Sequence, residues 1–139
     1  DYYGIMDKQD VLVTHGYAFP YSPDLTKDPQ VELSFESSLV RTRQFLDKTG
    51  DKTWYLNECG LPTTPEQTEG ISSGVDLRTQ ADYMARELLL ALSYGVDEIE
   101  VYSLFDQQNL YHTIMPEEYE NNFGLFYQQD YSGRIFKQK

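Results

Sequence analysis

Glu58 is the residue whose place in the sequence is hardest to explain by packing alone. It follows Trp54-Tyr55-Leu56-Asn57 and precedes Cys59-Gly60. A short run rich in aromatics and closed by a turn residue fits a buried parallel strand. Glutamate is a poor strand residue, and a buried carboxylate without partners is costly. The C-terminal end of a strand is where α/β proteins place catalytic groups, so Glu58 is a candidate catalytic carboxylate. The plain alternative is a carboxylate that caps the next loop or pairs with a lysine. Other chemical groups fall at comparable positions. His15 and Tyr17 end the β-branched run that starts at Val11, and period-2 geometry puts both on one face. Tyr102 lies in the run Ile99–Phe105, and Asp106 follows it. Taken singly, each has an ordinary reading: a hydrogen-bonded histidine, a core aromatic, a loop cap. Cys59 points away from Glu58 in a continuous strand, which assigns it to packing rather than nucleophilic attack.

The elements that must position these groups follow in order. Residues 1–10 read as the tail of a preceding element, and Asp1-Tyr2-Tyr3-Gly4 has neither the basic start nor the apolar core of a signal peptide. The first strand covers Val11–Tyr17. A loop with Pro20, Pro23 and Pro29 leads to a helix over Gln30–Lys48, with Phe35, Leu39, Val40 and Leu46 on its apolar stripe. The second strand ends at Glu58, and a Pro-, Thr- and Ser-rich loop spans 61–75. Asp76 is a good N-cap for a second helix with an apolar face of Leu77, Ala81, Met84, Ala85, Leu88, Ala91 and Leu92, closed by Gly95. The third strand is Ile99–Phe105. A second long loop covers 107–122, Phe123–Phe126 is a short apolar segment, and Arg134–Lys139 begins a last helix. This alternation implies an α/β fold with parallel strands and right-handed crossovers. Two architectures satisfy it: a small doubly wound sheet, or consecutive βα units of a (β/α)8 barrel. A full barrel takes about 250 residues, so three units make only part of one.

Composition removes several classes of function. The chain has 139 residues with 40% hydrophobic and 14% aromatic content, enough for a packed core. The formal charge of -12 argues against nucleic acid as a partner, and no run of about 18 apolar residues exists to span a membrane. A single cysteine excludes an intrachain disulfide. His15 and His112 lie in different loops without ligand spacing, so no metal is expected. No Gly-rich phosphate loop follows any strand, so no nucleotide or flavin cofactor is expected, which counts against the doubly wound sheet. Glu117, Glu118 and Glu120 read as a solvated loop face.

Taken together, His15-Gly16-Tyr17, Asn57-Glu58-Cys59-Gly60, Gln80-Ala81, Tyr102 to Asp106 and Asn122-Phe123-Gly124-Leu125 form a series. In order and spacing it resembles the C-terminal part of clan A retaining glycoside hydrolases. The three strands are similar to strands six, seven and eight of that family's (β/α)8 barrel. An Asn-Glu pair also occurs on the family's fourth strand, but the segments that follow Glu58 match the order after the seventh. The resemblance therefore implies that residues 1–139 are the C-terminal part of one glycoside hydrolase domain.

The resemblance further implies roles. Glu58 is the nucleophile, Tyr17 donates a hydrogen bond to it, and His15 contacts a sugar hydroxyl or holds Tyr17. Tyr102 stands where the family usually has a tryptophan and forms the floor of the sugar subsite, with Asp106 nearby on the substrate side. Tyr111, Tyr119 and Phe123 are candidates to stack on further sugar rings. The expected partner is a poly- or oligosaccharide, and the resemblance favours a secreted or cell-surface setting. Retaining hydrolysis needs two carboxyl groups about 5–5.5 Å apart, and the acid/base Glu belongs to a strand absent from this sequence. The chain alone is thus expected to be inactive and to need upstream barrel units or self-association. The alternative is a non-catalytic carbohydrate-binding or scaffold protein that kept the barrel and lost an active-site group.

Overall fold

In a computed structural model, residues 4, 8–18, 20–24, 34–50, 52–63, 74–106, 122–128 and 136–138 are described. Three parallel strands form one sheet in the order β1 (Val11–Gly16), β2 (Thr53–Cys59) and β3 (Glu98–Val101). Helix α1 (Phe35–Thr49) connects β1 to β2, and α2 (Leu77–Ser93) connects β2 to β3. These are consecutive βα units of a (β/α)8 barrel, with Glu58 on the central strand. A two-stranded antiparallel ribbon follows, β4 (Phe126–Gln128) with β5 (Phe136–Gln138). The last segment is thus a strand, not the helix expected over Arg134–Lys139, because Phe136 to Gln138 find backbone partners in Phe126 to Gln128. No helix among the described residues is long and apolar enough to cross a membrane.

Local chemistry sets the helix ends. The Ser34 hydroxyl accepts the Ser37 N–H at 3.1 Å and caps α1, which begins at Phe35, five residues after the expected start at Gln30. Residues 30–33 lie outside the described residues. The helix ends at Gly50, whose φ of 95° favours a residue without Cβ. Phe35, Leu39 and Leu46 are buried as the stripe requires. Asp76 caps α2 as expected, its carboxylate accepting the Thr79 N–H at 2.8 Å.

The face that α2 buries differs from the expected one. Gln80, Met84, Glu87 and Ala91 turn inward. Ala81, Ala85 and Leu92 are exposed, as is Leu77 at 43%. The apolar arc of this helix is broader than a single contact stripe, and the sheet selects the edge that carries two polar residues.

The core lies between the helices and the outer face of the sheet. Phe35, Leu39 and Leu46 meet Trp54, Leu56 and Cys59 of β2 together with Met84 and Ala91 of α2. Burying a side chain such as Leu or Phe stabilises by about 1.5–3 kcal/mol. Trp54 also satisfies its indole N–H on Thr14 Oγ1 at 2.8 Å. At the same, N-terminal end of β2, the backbone N–H of Trp54 donates to Asp97 Oδ2 at 2.8 Å and ties the start of β3 to it.

The pairing register holds one irregularity. Thr14 pairs with Leu56, but the next residue, His15, pairs with Glu58. On the other side Leu56 pairs with Ile99, and Cys59 with Val101. Relative to both neighbours, β2 therefore carries one extra residue near Asn57, a β-bulge.

Candidate active site

Glu58 occupies the C-terminal end of the central strand, and β1 brings its two partners. The Tyr17 hydroxyl donates to Glu58 Oε2 at 2.9 Å. His15 Nδ1 lies 3.4 Å from the same oxygen. The pairing of His15 opposite Glu58 produces this convergence. The carboxylate keeps 39% exposure and His15 54%, so both remain open to a ligand. His15 and Tyr17 also line a cleft of about 210 Å³ to which α1 contributes Ser37, Arg41 and Thr42.

The Tyr17 phenol is held well above its ordinary titration range. Partial burial is the main cause, followed by the hydrogen bond to Glu58 and that carboxylate's charge. Tyr17 is therefore a neutral, permanent donor to Glu58. Cys59, adjacent in sequence, is fully buried and its thiol is pushed up to about 12, by burial first and then by the charge of Glu87. A thiol in that state is not a nucleophile, in keeping with its expected packing role.

The third strand is shorter than expected. It ends at Val101, and the Tyr102–Ser103 peptide is cis. Tyr102 still reaches the site region. Its backbone N–H donates to Cys59 O at 2.8 Å, and its ring sits 5.4 Å from that of Phe123. Phe123 in turn meets the Tyr17 ring edge-on at 5.8 Å. Phe123 is only 4% exposed, so it is a wall behind the two tyrosines and not an open platform for a sugar. One Asp106 carboxylate oxygen accepts the backbone N–H of Gly124 at 2.9 Å. The structure thus joins His15, Tyr17 and Glu58 directly and Tyr102 through Phe123, while it engages Asp106 with the backbone of the following loop. Tyr111, Tyr119 and His112 lie outside the described residues. Among the described residues no group of His, Cys, Asp or Glu is arranged to hold a metal ion.

Two glycines make the strand ends meet. A Cβ on Gly60 would stand 2.0 Å from Tyr102 O, and one on Gly124 would stand 2.0 Å from Asp106 N. Both overlaps are with backbone, which cannot rotate aside. Gly60→Ala is expected to push β2 and β3 apart at the site and cost at least about 1–3 kcal/mol, the range for overpacking. Urea unfolding of the variant measures it, and an unchanged midpoint would show that the strand ends are not in this contact.

No protein-family model and no curated protein sequence matches the chain. Solved structures do match its fold. The β-glucuronidase of Faecalibacterium prausnitzii superposes with a TM-score of 0.56 at 16% identity, over 88% of this chain and 19% of that one. The apo β-glucuronidase of Ruminococcus gnavus gives 0.56 at 17% identity, over 85% and 20%. That of Bifidobacterium dentium, complexed with coumarin-3-O-glucuronide, gives 0.51 at 20% identity, over 85% and 18%. The chain spans about a fifth of the length of these structures. At such identities the likeness is one of fold alone.

Proposed function

We propose that the chain is the C-terminal part of a single (β/α)8 catalytic domain of a clan A retaining glycoside hydrolase. It acts on O-glycosidic bonds of a poly- or oligosaccharide by double displacement, with Glu58 as nucleophile. The observation that carries this reading is the accessible Glu58 carboxylate at the end of the central parallel strand, with the Tyr17 hydroxyl donating to it at 2.9 Å. The likeness in fold to β-glucuronidases supports the same reading.

The geometry suits the first displacement. Oε2 is engaged by Tyr17 and His15, so attack on the anomeric carbon falls to Oε1. The new C–O bond makes a glycosyl ester as the leaving oxygen departs with a proton from the acid/base carboxyl group, which the whole protein supplies from another strand. Water then attacks the anomeric carbon, gives up its proton to that same group, and Glu58 leaves as a carboxylate. Tyr17 stabilises the carboxylate before attack and after release. His15 contacts a sugar hydroxyl, and the Tyr102 ring forms the floor beneath the sugar.

The test is covalent capture. The intact protein is treated with a panel of 2-deoxy-2-fluoro aryl glycosides, the glucuronide among them, and digested for mass spectrometry. The glycosyl adduct is expected on the peptide containing Glu58. An adduct on any other carboxylate would sink the assignment.

A further inference from the structure

Phe123 is a residue on which several contacts beside the site converge. Its ring separates Tyr17 from Tyr102, at 5.8 and 5.4 Å between centroids. Its backbone is tied on three sides. Phe123 O accepts from Ser103 N at 3.3 Å, in the segment after β3. The preceding residue, Asn122, accepts from Thr63 N at 3.0 Å, in the segment after β2. The following residue, Gly124, donates to Asp106 Oδ1 at 2.9 Å and accepts from Gln80 Nε2 at 3.4 Å.

Gln80 is the most informative of these partners. It sits on the buried face of α2 at 3% exposure, where an apolar residue is the cheaper choice. Its amide donates to Leu61 O at 2.8 Å as well as to Gly124 O. One side chain thus joins the segment that leaves Glu58 to the segment that carries Phe123. A neutral buried amide satisfied by two carbonyls from different loops fixes their separation.

We propose that Gln80, Asp106 and Phe123 form a positioning brace that holds the Tyr17 hydroxyl on Glu58, with none of the three acting on substrate directly. This rests on the reading of Glu58 as nucleophile for its consequence, but not for its geometry. Asp106 thereby serves the loop backbone instead of a sugar. The brace works through contact: Gln80 and Asp106 hold Gly124, Gly124 holds the adjacent Phe123 ring, and that ring backs the Tyr17 phenol.

The experiment reads Tyr17 itself and needs no substrate. 3-Fluorotyrosine is introduced at position 17 of the whole protein, and its fluorine resonance is recorded in three backgrounds: Phe123→Leu, Gln80→Met and Asp106→Asn. Each is expected to move the resonance toward its position in the Glu58→Ala protein, where the acceptor is removed. Gln80→Met matters most, since the residue reaches Tyr17 only through Gly124 and Phe123. If Gln80→Met lowers the unfolding midpoint and leaves the resonance in place, Gln80 is merely structural and the brace is refuted. Should Gln80→Met not fold, Gln80→Leu, which likewise removes both N–H donors, is scored by the same shift. A parallel measurement of kcat and KM on an aryl glycoside completes it. Loss confined to kcat, of about 10- to 100-fold for a displaced reacting group, supports positioning, and loss confined to KM overturns it. Covalent labelling of Glu58 is independent of all these readouts, so the nucleophile and the brace can fail separately.

Discussion

Glu58→Gln is expected to lower kcat of the intact protein by about 10⁴- to 10⁶-fold, the range seen when a covalent catalyst loses its nucleophile or the group that orients it. The amide cannot form the glycosyl ester, so the double displacement has no first step. Binding should survive. Gln keeps the length and planarity of Glu, and its carbonyl oxygen can still accept from Tyr17, as Oε2 does at 2.9 Å. The carboxylate is 39% exposed, so neutralising it costs the fold little. Calorimetric titration with an oligosaccharide substrate should therefore give a Kd within a few-fold of the parent while turnover vanishes. Residual kcat within about tenfold of the parent would assign the chemistry elsewhere and favour a carbohydrate-binding role for this surface.

Glu87→Gln is expected to act on stability and to depend on pH. Glu87 is 1% exposed on the inner face of α2, near the buried Cys59, and its Oε2 has no hydrogen-bond partner among the described residues. Burial pushes its carboxyl group up from 4.5 to about 8. Below about 4.5 the group is protonated both folded and unfolded, and the substitution should change nothing. Between that value and about 8 the unfolded chain releases the proton while the folded chain retains it, so rising pH progressively favours unfolding. Above about 8 the penalty is constant and on the order of 5 kcal/mol, at about 1.36 kcal/mol for each tenfold change in proton affinity. Glu87→Gln removes the proton linkage. Urea unfolding from pH 4 to 9 should show parent and variant converging at the acid end and separating toward the alkaline end, with the variant more stable. Parallel profiles would mean that Glu87 is not held as a buried acid.

The parts of this fold that could be read in the sequence are those decided within a few residues. The α1 stripe of Phe35, Leu39 and Leu46, the Asp76 cap and the three strand cores all follow from local period or local hydrogen bonding. So did the meeting of His15, Tyr17 and Glu58, since parallel strands align their C-terminal ends on one edge. What escaped was decided at long range. The inward turn of Gln80 and Glu87 depends on which loops and strands lie across from α2. The burial of Phe123 depends on Tyr17 and Tyr102, which are remote in sequence. Arg134–Lys139 has no local signal that separates a first helical turn from β5, which pairs with the remote β4.

The extra residue in β2 acts as a change of reading frame in the strand. Before it, the even positions Trp54 and Leu56 face the helices and are 1% exposed. After it, the odd position Cys59 takes that side at 0%. A strand kept in its first frame would send Glu58 inward beside Trp54 and Leu56, where it would become a second buried acid like Glu87. The frame change separates those two fates. Deleting Asn57 would remove the extra residue and set the carboxylate directly after Leu56, on the opposite face, so that it keeps its open side in an unbulged strand.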